Sequence, residues 1–89
     1  MSDWTVLLPE RLNREVAELT PGERKALYLA LKQLSEDPRA DSRAEPLTGA
    51  ELRRVLCAPA ADTGGVVTIL YRVIPDTRTV AVIWLVAGP

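Results

Sequence analysis

Residues 66–86 limit what this chain can fold into more than any other stretch. The run VVTILYRV from Val66 to Val73 and the run TVAVIWLV from Thr79 to Val86 are both built from β-branched, aromatic and aliphatic residues, and Pro75-Asp76 supplies a turn between them. An antiparallel hairpin is the expected result. The second run is apolar at nearly every position, which a strand tolerates only with both faces covered or in the interior of a sheet. The upstream segments are therefore expected to pack against it.

Those segments read in order as follows. Trp4 to Leu8 carries strand-forming residues, with Trp4, Val6 and Leu8 on one face at period 2. Beyond Pro9, Leu12, Val16 and Leu19 recur at i, i+4 and i+7, one stripe of a brief amphipathic helix over residues 10–19. Thr20-Pro-Gly-Glu23 combines an N-cap threonine, a proline at the first helical position and a glutamate at N3, which predicts a capping box. A second helix follows from about Pro21 to about Asp37, its apolar stripe formed by Leu27, Leu31 and Leu34 with Ala26 and Ala30, and Pro38 stops it. Arg39 to Glu45 is charged and aperiodic and reads as a solvated connection, closed by Leu47-Thr-Gly49. From Leu52 a strand places Arg53, Val55 and Cys57 on one face and Leu52, Arg54 and Leu56 on the other. The small residues from Ala58 to Gly65 read as a flexible loop. The fold class expected is α+β: one small domain over residues 1–89, in the order β-α-α-β-β-β, with a two-helix hairpin on an antiparallel-rich sheet.

Bulk properties narrow the chemistry. The chain has 89 residues, 47% hydrophobic and 26% charged, enough for one core, and no apolar run nears the roughly 20 residues of a membrane span. It has no histidine and one cysteine, Cys57, so zinc or haem ligand sets cannot be assembled from it; neither metal nor cofactor is expected. The opening Met-Ser-Asp-Trp lacks the basic and apolar regions of a signal peptide, and with the lone cysteine this points to the cytoplasm. The net charge of −1 argues against a protein that coats nucleic acid through bulk charge. The distribution is uneven: residues 46–89 hold three acids and four arginines, Arg53, Arg54, Arg72 and Arg78, so any face for a polyanion is expected on the sheet. Tyr71, alternating with Ile69 and Val73, is expected in the core, as is Cys57, which lacks a histidine to activate it.

The element order, Leu47-Thr-Gly49, the Leu52-Arg-Arg54 strand, the Ile69-Leu-Tyr-Arg-Val73 strand and the apolar terminal strand together resemble the RelE/ParE superfamily of bacterial toxins. The resemblance covers almost the whole chain. It implies a RelE-like domain whose RelE branch cuts mRNA in the ribosomal A site as a metal-free endoribonuclease. The ParE branch poisons DNA gyrase, and both are neutralised by a cognate antitoxin. In the RelE-type reaction, basic residues hold the scissile phosphate while the ribose 2′-hydroxyl attacks phosphorus.

Carried over residue by residue, the resemblance places Arg54 on the first of the family's alternating basic positions and Leu56 on the second. The family's next strand arginine falls on Thr68, and its C-terminal arginine has no counterpart before Pro89. Arg72 shares a strand face with Thr68 and is the candidate substitute. Arg54 and Arg72 are thus the expected catalytic residues and Arg53, Arg54, Arg72 and Arg78 the expected RNA-binding set, with activity weakened or lost. The alternative is a non-catalytic protein-binding module, ParE-like or regulatory; four arginines gathered on one concave face favour RNA, and a remaining apolar groove favours a protein. The partners implied are an antitoxin, the ribosome with its mRNA, and no membrane. Self-association or an exposed apolar groove is expected near Leu85-Val86.

Overall fold

A computed structural model describes residues 3–40, 42–44 and 51–88. Its elements are β1 (Thr5–Leu7), a 3-10 turn (Glu10–Leu12), α1 (Asn13–Glu18), α2 (Pro21–Glu36), β2 (Ser42–Ala44), β3 (Glu51–Leu56), β4 (Val66–Ile74), a second 3-10 turn (Pro75–Thr77) and β5 (Thr79–Gly88). The strands form a five-stranded sheet in the order β1-β5-β4-β3-β2. All neighbours are antiparallel except β1 and β5, which run parallel from Thr5 opposite Thr79 to Leu7 opposite Ala81. The α+β class and the order of elements match the sequence reading, with one addition. β2 forms inside the segment read as a connection, because Ser42, Arg43 and Ala44 pair with Val55, Arg54 and Arg53. A three-residue edge strand has no hydrophobic alternation to announce it; its partner imposes it. The Leu47-Thr-Gly49 turn lies outside the described residues.

The helices form as their sequence signals require. Thr20 caps α2: its Oγ1 accepts from the Glu23 N–H at 3.2 Å, and Glu23 Oε1 accepts from the Thr20 N–H at 2.9 Å. Helix α2 ends at Glu36, with Asp37 in extended conformation ahead of Pro38. Both helices bury their stripes against one sheet face. Leu12, Val16 and Leu19 from the first and Leu27, Leu31 and Leu34 from the second meet Ile69, Tyr71, Val73, Val80 and Val82 of the sheet. Trp4, Val6 and Leu8 pack at the border of this core.

The residues from Ala58 to Gly65, expected to be a flexible loop, instead form a bonded structure docked on the start of α2. Ala60 and Gly64 make backbone hydrogen bonds within the loop (Ala60 N–H to Gly65 O, 2.9 Å; Gly64 N–H to Ala60 O, 2.8 Å), with Gly64 in the left-handed region at φ 72°. Asp62 accepts from the Gly22 N–H at 3.0 Å, and the Thr63 hydroxyl donates to Glu23 at 3.2 Å. The orphan amide of Gly22 at the helix N-terminus thereby finds an acceptor, and the composition of the loop alone does not reveal these partners.

Of the two settings expected for β5, covered faces or the interior of the sheet, the structure shows the second. β5 is interior, between β1 and β4, yet the helices cover one face only, and Trp84 and Val86 are 48% and 51% exposed on the other. A bulge sets this pattern: Leu70 pairs with Trp84 but Tyr71 with Val82, leaving Ile83 as an extra residue. The buried positions Val80 and Val82 are therefore followed by Leu85, not by residue 84.

Leu27 is fully buried and Leu31 lies at the margin of the core. Leu27→Ala is expected to cost about 3–5 kcal/mol and Leu31→Ala about 2–3 kcal/mol in urea unfolding. A loss below about 0.5 kcal/mol at Leu31 would show that its face of α2 carries no packing.

Candidate functional site

Opposed residues in an antiparallel ladder point to the same side of the sheet, so register alone sorts the arginines. Arg43 pairs with Arg54, Arg54 with Leu70, and Leu70 with Trp84, forming one row across β2, β3, β4 and β5 on the face without helices. A second row runs Leu56, Thr68, Val86, and a third Leu52, Arg72, Ala81. Arg54 and Arg72 are diagonal neighbours, about 7–8 Å apart at the backbone in standard geometry. Arg43, Arg54, Leu56 and Thr68 line an open depression of about 470 Å³.

Two of the expected four arginines do not join this face. Arg53 points to the helix side. Its Nε donates to Ser42 Oγ at 2.6 Å, its Nη2 to the Ser42 carbonyl at 3.2 Å, and its Nη1 lies 3.5 Å from Glu51 Oε2. Glu51 is also held by Arg39, which donates to both carboxylate oxygens at 2.8 Å. That bidentate bond first, then the nearby charges, holds the Glu51 carboxyl below its usual range. Beneath this cluster Tyr71 is fully buried, its hydroxyl donating to the Pro38 carbonyl, and burial raises its pKa. Arg78 sits in the turn between β4 and β5 in a left-handed conformation. Its Nε donates to the Asp3 carbonyl at 3.1 Å and its guanidinium lies 5.2 Å from the centre of the Trp4 ring, with Arg39 5.7 Å from the same ring. Both arginines have structural engagements where the sequence reading placed RNA contacts.

Sequence reasoning missed three features of the open face. Arg43 fell in the segment taken as a connection, and only the pairing of β2 brings it beside Arg54. Trp84 reaches this face through the bulge, which nothing in an unbroken apolar run signals. Leu56, at 66% exposure, joins Trp84 and Val86 as large apolar groups in water on the same face. Arg54 and Thr68, from different strands, both line the depression.

Cys57 is buried on the helix side, and desolvation pushes its thiol up to about 11. It is unsuited to nucleophilic work. Among the described residues no group of three or more Cys, Asp and Glu converges in a way that could hold a metal ion, and no helix is long and apolar enough to cross a membrane.

No protein-family model matches the chain, and no curated protein matches it. Among solved structures the chain is similar to the Escherichia coli toxin RelE, determined as a double arginine-to-alanine mutant in the free state. The TM-score is 0.71, with 21% identity, over 96% of this chain and 82% of that one. The likeness extends over nearly every described element and establishes a RelE-like fold: helices on one side of a mixed five-stranded sheet.

The raised Cys57 pKa has a definite sign. The folded state holds the thiol proton to about pH 11, above the roughly 8.5 of an unfolded cysteine. This contribution to stability is therefore complete below about pH 8.5 and is lost as pH rises through 11. Cys57→Ala should flatten the alkaline limb of a stability-versus-pH curve relative to the parent, and the native thiol should resist disulfide reagents at pH 8 until the protein unfolds.

Proposed function

We propose that this protein is a RelE-like toxin of a toxin–antitoxin module whose open sheet face contacts RNA, with endoribonuclease activity weakened or lost. The observation that carries this reading is the composition of that face: Arg43, Arg54 and Arg72 share it, but the row beside that of Arg43 and Arg54 is Leu56, Thr68 and Val86.

Arg54 and Arg72 are suited to hold a phosphodiester, since a guanidinium presents a planar fork of donors to phosphate oxygens. In metal-free cleavage the 2′-hydroxyl loses its proton, its oxygen bonds to phosphorus, and the bond from phosphorus to the 5′-oxygen breaks, leaving a cyclic phosphate and a 5′-hydroxyl. Each stage places negative charge on the non-bridging oxygens. A missing donor at that point costs about 10²–10³ in rate. Leu56 and Thr68, where the family resemblance expects cations, supply no charge, and an arginine with a pKa above about 12 is a poor general base. Phosphate binding without efficient turnover follows from that set. An antitoxin protein is the partner this reading implies, and the cytoplasm its compartment.

The second reading, a protein-binding module without chemistry, is favoured by one observation. Leu56, Trp84 and Val86 place three exposed large apolar side chains on the face that would otherwise meet a polyanion.

The experiment is cleavage of mRNA on programmed ribosomes with purified protein. The parent is expected to cut at least 100-fold more slowly than an active RelE-type enzyme. It is also expected to retain single-stranded RNA binding that weakens with salt and falls several-fold in Arg54→Ala. Leu56→Lys combined with Thr68→Arg should raise the cleavage rate. Rapid A-site cleavage by the parent, abolished in Arg54→Ala, would overturn the loss of activity. Absence of RNA binding in a folded protein would favour the protein-binding module.

A further inference from the structure

Of the four aromatic residues in the chain, one stands on the face that carries Arg43, Arg54 and Arg72. Tyr71 is fully buried, Trp4 lies beside the guanidinium groups of Arg39 and Arg78, and Tyr28 projects from α2 into solvent. Trp84, 48% exposed, is turned away from the helices by the bulge.

Register fixes what surrounds it. The row Arg43, Arg54, Leu70, Trp84 crosses four adjacent strands, so Trp84 lies two strand spacings, about 10 Å, from Arg54. Arg72 is two residues along β4 from Leu70, in the adjoining row. Among the described residues of the five strands, Glu51 is the single acid, and it pairs with buried Val73 on the helix side. The strand residues of the open face therefore carry positive charge and no carboxylate. At the outer edge of β5, Trp84 also borders a groove lined by Glu15 and Glu18 of α1. Those carboxylates repel a phosphate chain while the arginines of β3 and β4 attract it, so a polyanion that reaches Trp84 comes across the strands from the β3 side.

We propose that Trp84 is the stacking platform for an unpaired base of a single-stranded RNA whose backbone is held by Arg54 and Arg72, and that the face meets this base by its ring and not by its edges. This rests on the RNA-contact reading of the open face. An exposed indole offers a flat π surface that any base can cover. The side chains beside it on the face, Leu70, Ala81 and Val86, have no hydrogen-bonding group to meet a base edge. Recognition is therefore sequence-tolerant, and its preference follows stacking strength, adenine above uracil. A protein partner seated on Leu56, Trp84 and Val86 would need apolar bulk at residue 84 and not aromaticity.

The probes are labelled eight-nucleotide RNAs, oligoadenylate, oligouridylate and an oligoadenylate with abasic sites at alternate positions, titrated by fluorescence anisotropy into the full chain. Oligoadenylate should bind about threefold more tightly than oligouridylate and about tenfold more tightly than the abasic strand. Trp84→Leu keeps apolar bulk and removes the aromatic face, so it should cost about tenfold on oligoadenylate and little on the abasic strand; Trp84→Phe should stay within about threefold of the parent. Unlabelled oligoadenylate should quench tryptophan emission in the parent and not in Trp84→Phe, where Trp4 is the remaining indole. The abasic strand makes the same comparison without altering the protein. Equal affinity for intact and abasic strands, or full affinity in Trp84→Leu while Arg54→Ala is weakened, would overturn the stacking role and leave the RNA-contact reading standing. No binding of any strand by the folded parent would overturn both. Adenosine 5′-monophosphate bound as tightly as the oligoadenylate would assign the site to a free nucleotide and overturn the proposal equally.

Discussion

One extra residue in β5 decides what this molecule shows to its surroundings. Without Ile83 between the pairs Tyr71–Val82 and Leu70–Trp84, strict alternation from Val80 and Val82 would carry Trp84 under the helices and Leu85 into water. The bulge reverses that assignment for the rest of the strand. Leu85 becomes part of the core, while Trp84 and Val86 join the exposed face beside Leu56. The core and the open face are both settled by this single shift of register.

Much of the fold was legible because local and global signals agree. The capping box at Thr20–Glu23, the leucine stripe of α2, the proline that stops it and the β-rich hairpin each have a physical cause within a few residues. Three features had none. β2 exists because β3 offers it a ladder, the 58–65 loop is held by hydrogen bonds to Gly22 and Glu23 some 40 residues away at the start of α2, and the bulge lies within an apolar run where every register looks equally buried. In each case the determining partner is distant in sequence, and composition does not encode distance.

The candidate site was legible to the same degree. The resemblance named Arg54 and Arg72 together and strand register puts both on the open face, but the other two arginines of the expected set are engaged elsewhere. Arg53 joins Glu51, Arg39 and Ser42 over Tyr71, and Arg78 ties the β4–β5 turn to Asp3 and Trp4. Guanidinium groups suit both tasks, since they donate in several directions and stack on aromatic faces. Charge counting cannot separate the two uses; strand parity separates Arg53 from Arg54, and the turn conformation sets Arg78 apart.

The parallel pairing of β1 with β5 joins residue 5 to residue 79. Every other strand contact in the sheet is between neighbours in the chain, so this one closes the longest loop in the fold. Loop closure of that span is entropically slow, and topologies that depend on it fold late. As the polypeptide is made, α1 and α2 emerge well before the strands that complete the sheet beneath them. Until residues 79–88 arrive, β4 lacks one neighbour and β1 lacks its only one. The open face is therefore completed only at the last step, when β5 brings Trp84 and Val86 beside the rows that β3 and β4 have already formed.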